Sequence, residues 1–446
     1  MILNKKQLAT TSIRKAALRI VEAGYEAIDI RKLVRRKFRR TGKIFCIEDI
    51  TKKCVYVDLD VYKRVFLIGI GKGSALAVSE LAIILGKRLT RGIAVDVTLP
   101  KNSNPRVQLL AGTHPFPSEH NVRVTKKIID LAKTFTNNDI AIVFVCGGGS
   151  SLAIGSNQEL KNVGFATRAL MAAGADIVEM NTVRKHLSLI KGGGLAKICY
   201  PARVISLVAS DVLGNDTTMA ASGILAKDTT SKRDAQRIIE KYLKPSSAKT
   251  KLIRDLMETS KDDKFFANVT TILFASNEEA ALAMKTEAAR LGFRAKIQSL
   301  AVRGEAKNVF IPLIKTIRRG EAIIAAGETT VTLNANRSTL DARRSVKGGR
   351  NQEAVLGALA RLTTNDQRPT TKIVIASVAS DSHDNTEAAG AIGDRDVIKK
   401  AKKLNLSIKD FLETHDSFPF FHKTGNLIFA KKKSFNVADL MLILRK

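Results

Sequence analysis

The residues best suited to chemistry stand where apolar, strand-like runs break into glycine. In "FVCGGGSSL" a run ending at Cys146 gives way to Gly147, Gly148, Gly149, Ser150 and Ser151, and in "RVFLIGIGKGS" another gives way to Gly71, Lys72, Gly73 and Ser74. Glycines at such points let the backbone present N–H groups to a closely approaching atom. Where the loop also opens a helix, those amides and the helix dipole form a nest for an anion, to which Lys72 adds a full positive charge. Neither loop is a complete nucleotide fingerprint. "GIGKGS" lacks the GxxxxGK[ST] spacing, Ser74 stands where G-x-G-x-x-G has its third glycine, and Asp96 ends the next strand 27 residues beyond Gly69.

Further along, "EMNTVRKHLSLIKGGG" (179–194) has helical spacing, with Val183, Leu187 and Ile190 on an inward face and Arg184, Ser188 and Lys191 on another. With Asn181 and Lys185 this is either a solvated polar face or one turned to an anion, and Gly192 would close the helix. Asp211, in "VISLVASDVLGND", ends a buried strand, the place for a catalytic or metal-binding carboxylate of an α/β enzyme and equally for a cap. "GETTVTL" and "GGRNQEAVLGALA" read as a strand and a glycine turn into a helix, placing Arg350 and Asn351 at its start, where arginine can grip carboxylate or phosphate at two points. In "ASDSHDNTEAAGA", Asp381, Asp384 and Glu387 suit either Mg²⁺ held by few carboxylates or a capped helix start. The six histidines form no i, i+4 metal pair, and His114, set among prolines in "GTHPFPSEH", reads as structural. No GxSxG elbow or Cys/His dyad is present. Nests, dispersed cations and acidic strand tips favour phosphoryl transfer over hydrolysis by a nucleophile.

Positioning these groups requires a sheet. "RVFLIGI", "GIAVDVTL", "VQLLAG", "DIAIVFV" and "ARVISLVAS" alternate with helical patterns, which predicts a mainly parallel, doubly wound α/β sheet with its loops at the strands' carboxyl ends. "TILFAS", "RAKIQSL", "EAIIAAG" and "TKIVIASVAS" form a second set. The polar stretch from about residue 230 to 264 divides the chain into two α/β domains, 1–245 and 265–446. An N-terminal helix around "IRKAALRIVEAG" would close at Gly24. The 446 residues carry 74 Lys and Arg against 42 Asp and Glu, a net charge of +32 that draws polyanions without choosing among nucleic acid, ATP and small carboxylates. With no Trp and no finger or RNP-type motif, nucleic-acid binding is expected to be at most non-specific. Without a long uncharged apolar run or a leader pattern, a cytoplasmic protein with no membrane role is expected. The four cysteines, without CxxC spacing, read as buried, reduced thiols.

Taken in order, "GIGKGS", "THPFP", "CGGGSSL", "EMNTVRKHLSLIKGG", "SDVLGND", "ASG", "GETTVTL", "GGRNQE", "AAGAI" and "NVADL" resemble the glycerate 2-kinase family, two-domain enzymes whose C-terminal part is the MOFRL domain. The resemblance implies a Rossmann-like first domain and Mg²⁺-dependent transfer of the ATP γ-phosphate to the 2-hydroxyl of D-glycerate. It carries functional roles onto Lys72, Asp211 and Arg350. ATP and D-glycerate are then the small-molecule partners, and a homodimer is left open. The alternatives are an NAD(P)-dependent hydroxypyruvate reductase and a degenerate kinase with a basic nucleic-acid-binding surface. The chain departs from the family where "SDSHDN" puts Ser382 and Asn385 in place of two glycines, where "AKKKSFN" (430–436) replaces a glycine-rich loop, and where "SGILAKDTT" lacks the usual prolines.

Overall fold

The computed structural model describes residues 1–100, 104–210, 214–333, 346–365, 372–431 and 435–446. The chain forms two compact units, one of residues 30–275 and the other of residues 1–29 with 276–446.

The 30–275 unit begins with an arginine-rich helix, Ile30–Lys37, whose Leu33 and Val34 are buried. It runs into an antiparallel sheet of β1 (Phe38–Thr41), β2 (Ile44–Glu48) and β3 (Cys54–Asp58). A disulfide joins Cys46 to Cys54 across the β2–β3 hairpin, so the reading of four reduced thiols is corrected for this pair, while Cys146 and Cys199 are buried and take no part in a disulfide among the described residues. No CxxC motif marks the bond, because strand pairing rather than spacing along the chain brings the two sulfurs together. The main sheet comprises β4 (Arg64–Ile70), β5 (Leu89–Asp96), β6 (Val107–Ala111), β7 (Asp139–Cys146), β8 (Arg203–Ala209) and β9 (Val269–Ala275). All six are parallel, in the order β6-β5-β4-β7-β8-β9. β4 and β7 are apolar after their first residues, the paired Arg64 and Asp139, because helices cover both faces of a parallel sheet. Connections from β4 build outward through β5 and β6, and those from β7 build the other way. The topological switch point, where such sheets bind ligands, therefore lies at the carboxyl ends of β4 and β7. Those are the two ends followed by "GKGS" and "GGGSS".

The second unit is built on a mixed sheet of β10 (Arg294–Val302), β11 (Glu321–Gly327), β12 (Ile373–Ala379), β13 (Gly390–Asp394), β14 (Leu427–Ile428) and β15 (Asp439–Arg445), ordered β10-β11-β15-β12-β13-β14. Only β10 and β11 pair in parallel. Among the described residues the strand before Arg350 is "EAIIAAG", which ends at the Gly327 that opens "GETTVTL"; beyond it Thr330 makes an isolated bridge to Glu305. Two α/β units are thus present as expected, but the chain crosses between them at 29/30 and 275/276 rather than near residue 250. The polar helices Lys232–Tyr242 and Ser247–Arg254 belong within the first-described unit. The N-terminal helix Ser12–Ala27 packs in the unit of the C-terminal half. Its buried Arg14 forks onto Asp394 at 2.6 and 3.1 Å and reaches Asn426 at 2.8 Å, and Tyr25 donates to the carbonyl of Ala379. Gly24 does not end this helix. A Cβ there would stand 2.9 Å from Met284 and 3.3 Å from Leu440, so glycine permits close packing.

Candidate active site

The switch point of the parallel sheet is built from four segments. The β4 loop opens with Gly71 at φ +119°, where a Cβ would lie 2.3 Å from the carbonyl oxygen of Cys146. Only glycine lets the ends of β4 and β7 approach so closely. The amide of Lys72 then donates to the carbonyl of Gly147 at 2.8 Å, and Cys146 Sγ donates to the carbonyl of Lys72, so the backbone of the lysine is fixed. Its half-buried ammonium has no carboxylate or other hydrogen-bond partner among the described residues.

The amides that follow Lys72 are not free for a ligand. Asp96 Oδ2 accepts from Gly73 and Ala75, and its Oδ1 accepts from Val97 and Thr98. The Ser74 hydroxyl donates to the carbonyl of Val95. Burial lifts the Asp96 carboxyl to about 6 against the pull of those N–H groups. The anion of the first nest is thus the protein's own aspartate, and Gly71, Gly73 and Ser74 shape the loop that presents Lys72.

The β7 loop is the open one. Gly148 (φ +78°) precedes the short helix Gly149–Leu152, and the amides of Gly148, Gly149 and Ser150 have no acceptor among the described residues. Gly149 packs on Ala221, whose Cβ lies 2.6 Å from where its own would be. The Ser150 and Ser222 hydroxyls are 2.8 Å apart, and Ser222 donates to Asn181 Oδ1 at 3.0 Å, so the Ser150 hydroxyl donates to Ser222. Ala221, Ser222 and Gly223 all have φ between +49° and +67°. Non-glycine residues held in this region mark strain that functional sites commonly retain. Ser222 belongs to the "ASG" motif, which the sequence offered as family resemblance rather than as site chemistry.

Asn181 leads to Arg184. Its guanidinium contacts Thr167 Oγ1 at 3.2 Å and Asn181 Oδ1 at 3.4 Å, and burial lowers its pKa with no carboxylate among the described residues to offset it. A half-buried cation with no carboxylate partner among the described residues is suited to an anionic ligand.

Other sequence-selected cations are spoken for. The helix Ile177–Lys185 ends before His186, and the glycines at 192–194 lead into a separate helix, Gly194–Cys199. The common face drawn through Arg184, Ser188 and Lys191 does not exist, because a turn intervenes. Lys191, fully buried, binds Glu159 at 2.6 Å and the carbonyl of Ala153 at 2.7 Å. Lys185 pairs with the buried Asp228 at 3.2 Å. Lys191→Met is expected to lower stability by about 3–5 kcal/mol, because Glu159 is left buried without its partner. A solvent-facing lysine would cost within about 0.5 kcal/mol. Urea denaturation separates the two.

In the other unit, Arg350 opens the helix Arg350–Asn365 but is held by Asp439 at 2.6 Å and Glu328 at 2.7 Å, which raise its pKa. Asp384 caps that helix, accepting from the amides of Asn351 and Gln352 and from both side-chain amides. Asn351 also accepts from Ser377 and is buried. Asp381 Oδ1 accepts from the amide of His383. No group of three or more acidic, His or Cys side chains among the described residues is placed to hold a metal. Asp384 does not fit Mg²⁺, because its carboxylate oxygens already accept from four N–H donors. Ser382 (φ +69°) and Asn385 (φ +54°) have a left-handed backbone, the region that favours glycine. Asp211 lies outside the described residues, as do residues 432–434 of "AKKKSFN".

The fold and site define a two-unit α/β protein with a cationic, glycine-lined candidate site at the switch point of a doubly wound sheet. Domain of unknown function (DUF4147) matches residues 16–257 and the MOFRL family matches residues 321–439. The D-glycerate 2-kinase of Thermotoga maritima is 30% identical over 97% of this chain and 98% of its own. A protein of Agrobacterium vitis named as a putative hydroxypyruvate reductase is 30% identical over 85% of this chain and 87% of its own. The crystal structure of glycerate kinase from Thermotoga maritima superposes with a TM-score of 0.81, covering 97% of this chain and 99% of that one at 29% identity. The chain belongs to the glycerate 2-kinase family. No helix among the described residues is long and apolar enough to cross a membrane.

Proposed function

We propose that the chain is a cytoplasmic, ATP-dependent D-glycerate 2-kinase, transferring the γ-phosphoryl group to the 2-hydroxyl to give 2-phosphoglycerate and ADP. The observation that carries this reading is the pairing of Lys72, which meets no carboxylate among the described residues, with the open β7 loop at the switch point. An ammonium and unpaired amides suit phosphoryl oxygens, whose charge is spread and redistributed during transfer. Arg184, set by Asn181 and Thr167, suits the carboxylate of glycerate, and the Ser150–Ser222 hydroxyl pair suits its hydroxyls. Asp211 is assigned the proton of the 2-hydroxyl. Binding both substrates in one site turns a bimolecular encounter into an oriented displacement.

Incubation with D-glycerate and ATP, supplied as its magnesium complex, is expected to release ADP and give a ³¹P NMR signal coupled to the C2 proton. Phosphate on C3 alone would refute the regiochemistry. NADH consumption with hydroxypyruvate and no ADP formation would replace the kinase with a reductase.

A further inference from the structure

We propose that His114 is a catalytic residue, a neutral imidazole that donates a hydrogen bond to an oxygen of the transferring phosphoryl group beside Lys72. The inference rests on the kinase reading above. Read from sequence as a structural histidine among prolines, His114 lies against the β7 loop. A Cβ placed on Gly148 would stand 3.1 Å from both Nε2 and Cδ2 of the ring and 3.2 Å from Cγ of Lys72. Gly148 thus leaves a slot in which the imidazole and the lysine stem meet, next to the open amides of Gly148, Gly149 and Ser150.

The ring is held from behind. Asn121, fully buried, accepts from the amide and hydroxyl of Thr113 at 3.0 and 2.9 Å and donates to the carbonyls of Thr113 and Ser151, both at 2.9 Å. The residue before His114 is thereby tied to the β7 loop. Yet the half-buried ring has no hydrogen-bond partner of its own among the described residues. Structural histidines usually satisfy at least one ring nitrogen when buried, as His186 does through the carbonyl of Met257 at 2.8 Å.

The charge that bears on the ring is that of Lys72. The β7 loop offers no carboxylate, the Sγ of Cys146 is turned to the Lys72 carbonyl, and Glu119 and His120 begin the helix that follows. Burial, and then Lys72, push the ring down to about 4. An imidazole in that state is a poor proton acceptor at neutral pH and a good neutral N–H donor. Lys72 then supplies charge to the phosphoryl oxygens and His114 supplies direction, leaving the hydroxyl proton to another group.

The test compares His114→Phe, which keeps the ring's bulk without a donor, with His114→Gln, whose side-chain amide restores a neutral donor near Nε2. Turnover is measured with ATP and D-glycerate, and binding with AMP-PNP. The expected result is a loss of about 10²–10³-fold in kcat for His114→Phe with AMP-PNP affinity within a few fold, and recovery of at least about tenfold in His114→Gln. Turnover within about threefold of wild type in folded His114→Phe overturns the proposal while leaving the kinase reading intact. Equal inactivity of both variants also overturns it, because it would point to proton transfer or to shape alone. Absence of wild-type turnover removes both the kinase reading and this one. Should a variant fail to fold, NMR of the wild-type ring decides: it is expected to stay neutral at pH 6 and to shift its N–H resonance downfield when AMP-PNP and D-glycerate bind. A ring that is protonated at that pH, or unmoved by the ligands, refutes the role.

Discussion

Lys72→Met is expected to lower kcat by about 10²–10³-fold while leaving the thermal midpoint within about 2 °C of wild type. The two expectations have separate physical sources. The ammonium makes no contact with a carboxylate among the described residues, so its removal strands no buried partner, and methionine keeps the length of the stem that packs beside Gly148. The backbone of the loop is held by the Gly147 carbonyl and Cys146, neither of which senses the side chain's charge. Catalysis loses the full charge of a lysine whose stem packs beside Gly148, where oriented charge is worth more than in water. A fall in midpoint with normal turnover in the folded fraction would make Lys72 a packing residue.

The same variant has a second readout. The His114 ring lies below its ordinary value of 6.5 because of burial first and Lys72 next. Between pH 6.5 and about 4 the unfolded chain therefore binds a proton that the folded ring refuses, and stability falls as pH falls through that window. Removing the Lys72 charge raises the ring's pKa and narrows the window. The NMR titration midpoint of His114 is expected to move up from about 4 in Lys72→Met, and an unchanged midpoint would separate the two side chains.

What could be read from sequence follows from which interactions are local. The parallel sheet was legible because burial on both faces makes continuous apolar runs, and the glycine loops because positive φ and close approach demand glycine at Gly71 and Gly148. Partners distant in the chain were not legible. Asp96 was noted only for its spacing from Gly69 in an incomplete nucleotide fingerprint, yet it fills the β4 nest from the neighbouring strand. Lys191 and Arg184 looked equivalent on a helical wheel, but the helix stops at Lys185, and Glu159 then takes Lys191 while Arg184 meets no carboxylate among the described residues. His114 reads as structural from sequence because proline neighbours suggest rigidity, and nothing in "THPFP" tells that its ring has no hydrogen-bond partner among the described residues. The Cys46–Cys54 bond and the docking of residues 1–29 depend likewise on pairings that spacing does not encode.

Arg350 is where sequence and structure part furthest, and Arg350→Ala distinguishes them. If it were a free clamp for substrate, its loss would cost turnover and little stability. The guanidinium instead reaches Asp439 through Nε at 2.6 Å and Nη2 at 3.3 Å, and Glu328 through Nη1 at 2.7 Å. Asp439 begins β15 and is 1% exposed, and burial already lifts its carboxyl to about 7 against the pull of the arginine. Truncating Arg350 leaves that carboxyl buried without its cation, a change expected to cost about 3–5 kcal/mol. The sign of the pH dependence follows. A carboxyl whose folded pKa is raised binds its proton more tightly in the native state, so the stability it lends is greatest below the unfolded value near 3.8 and falls as pH rises through the folded one. Without Arg350 the folded value climbs further, so the loss should be largest at pH 8 and smaller at pH 5.5, where Asp439 is protonated. Adding Asp439→Asn removes the buried charge and is expected to recover part of the loss at pH 8 and little at pH 5.5. Urea midpoints of the single and double variants at both pH values test the ion pair. Unchanged midpoints together with a 10²–10³-fold fall in kcat, the scale for one preorganised donor, would return Arg350 to the substrate.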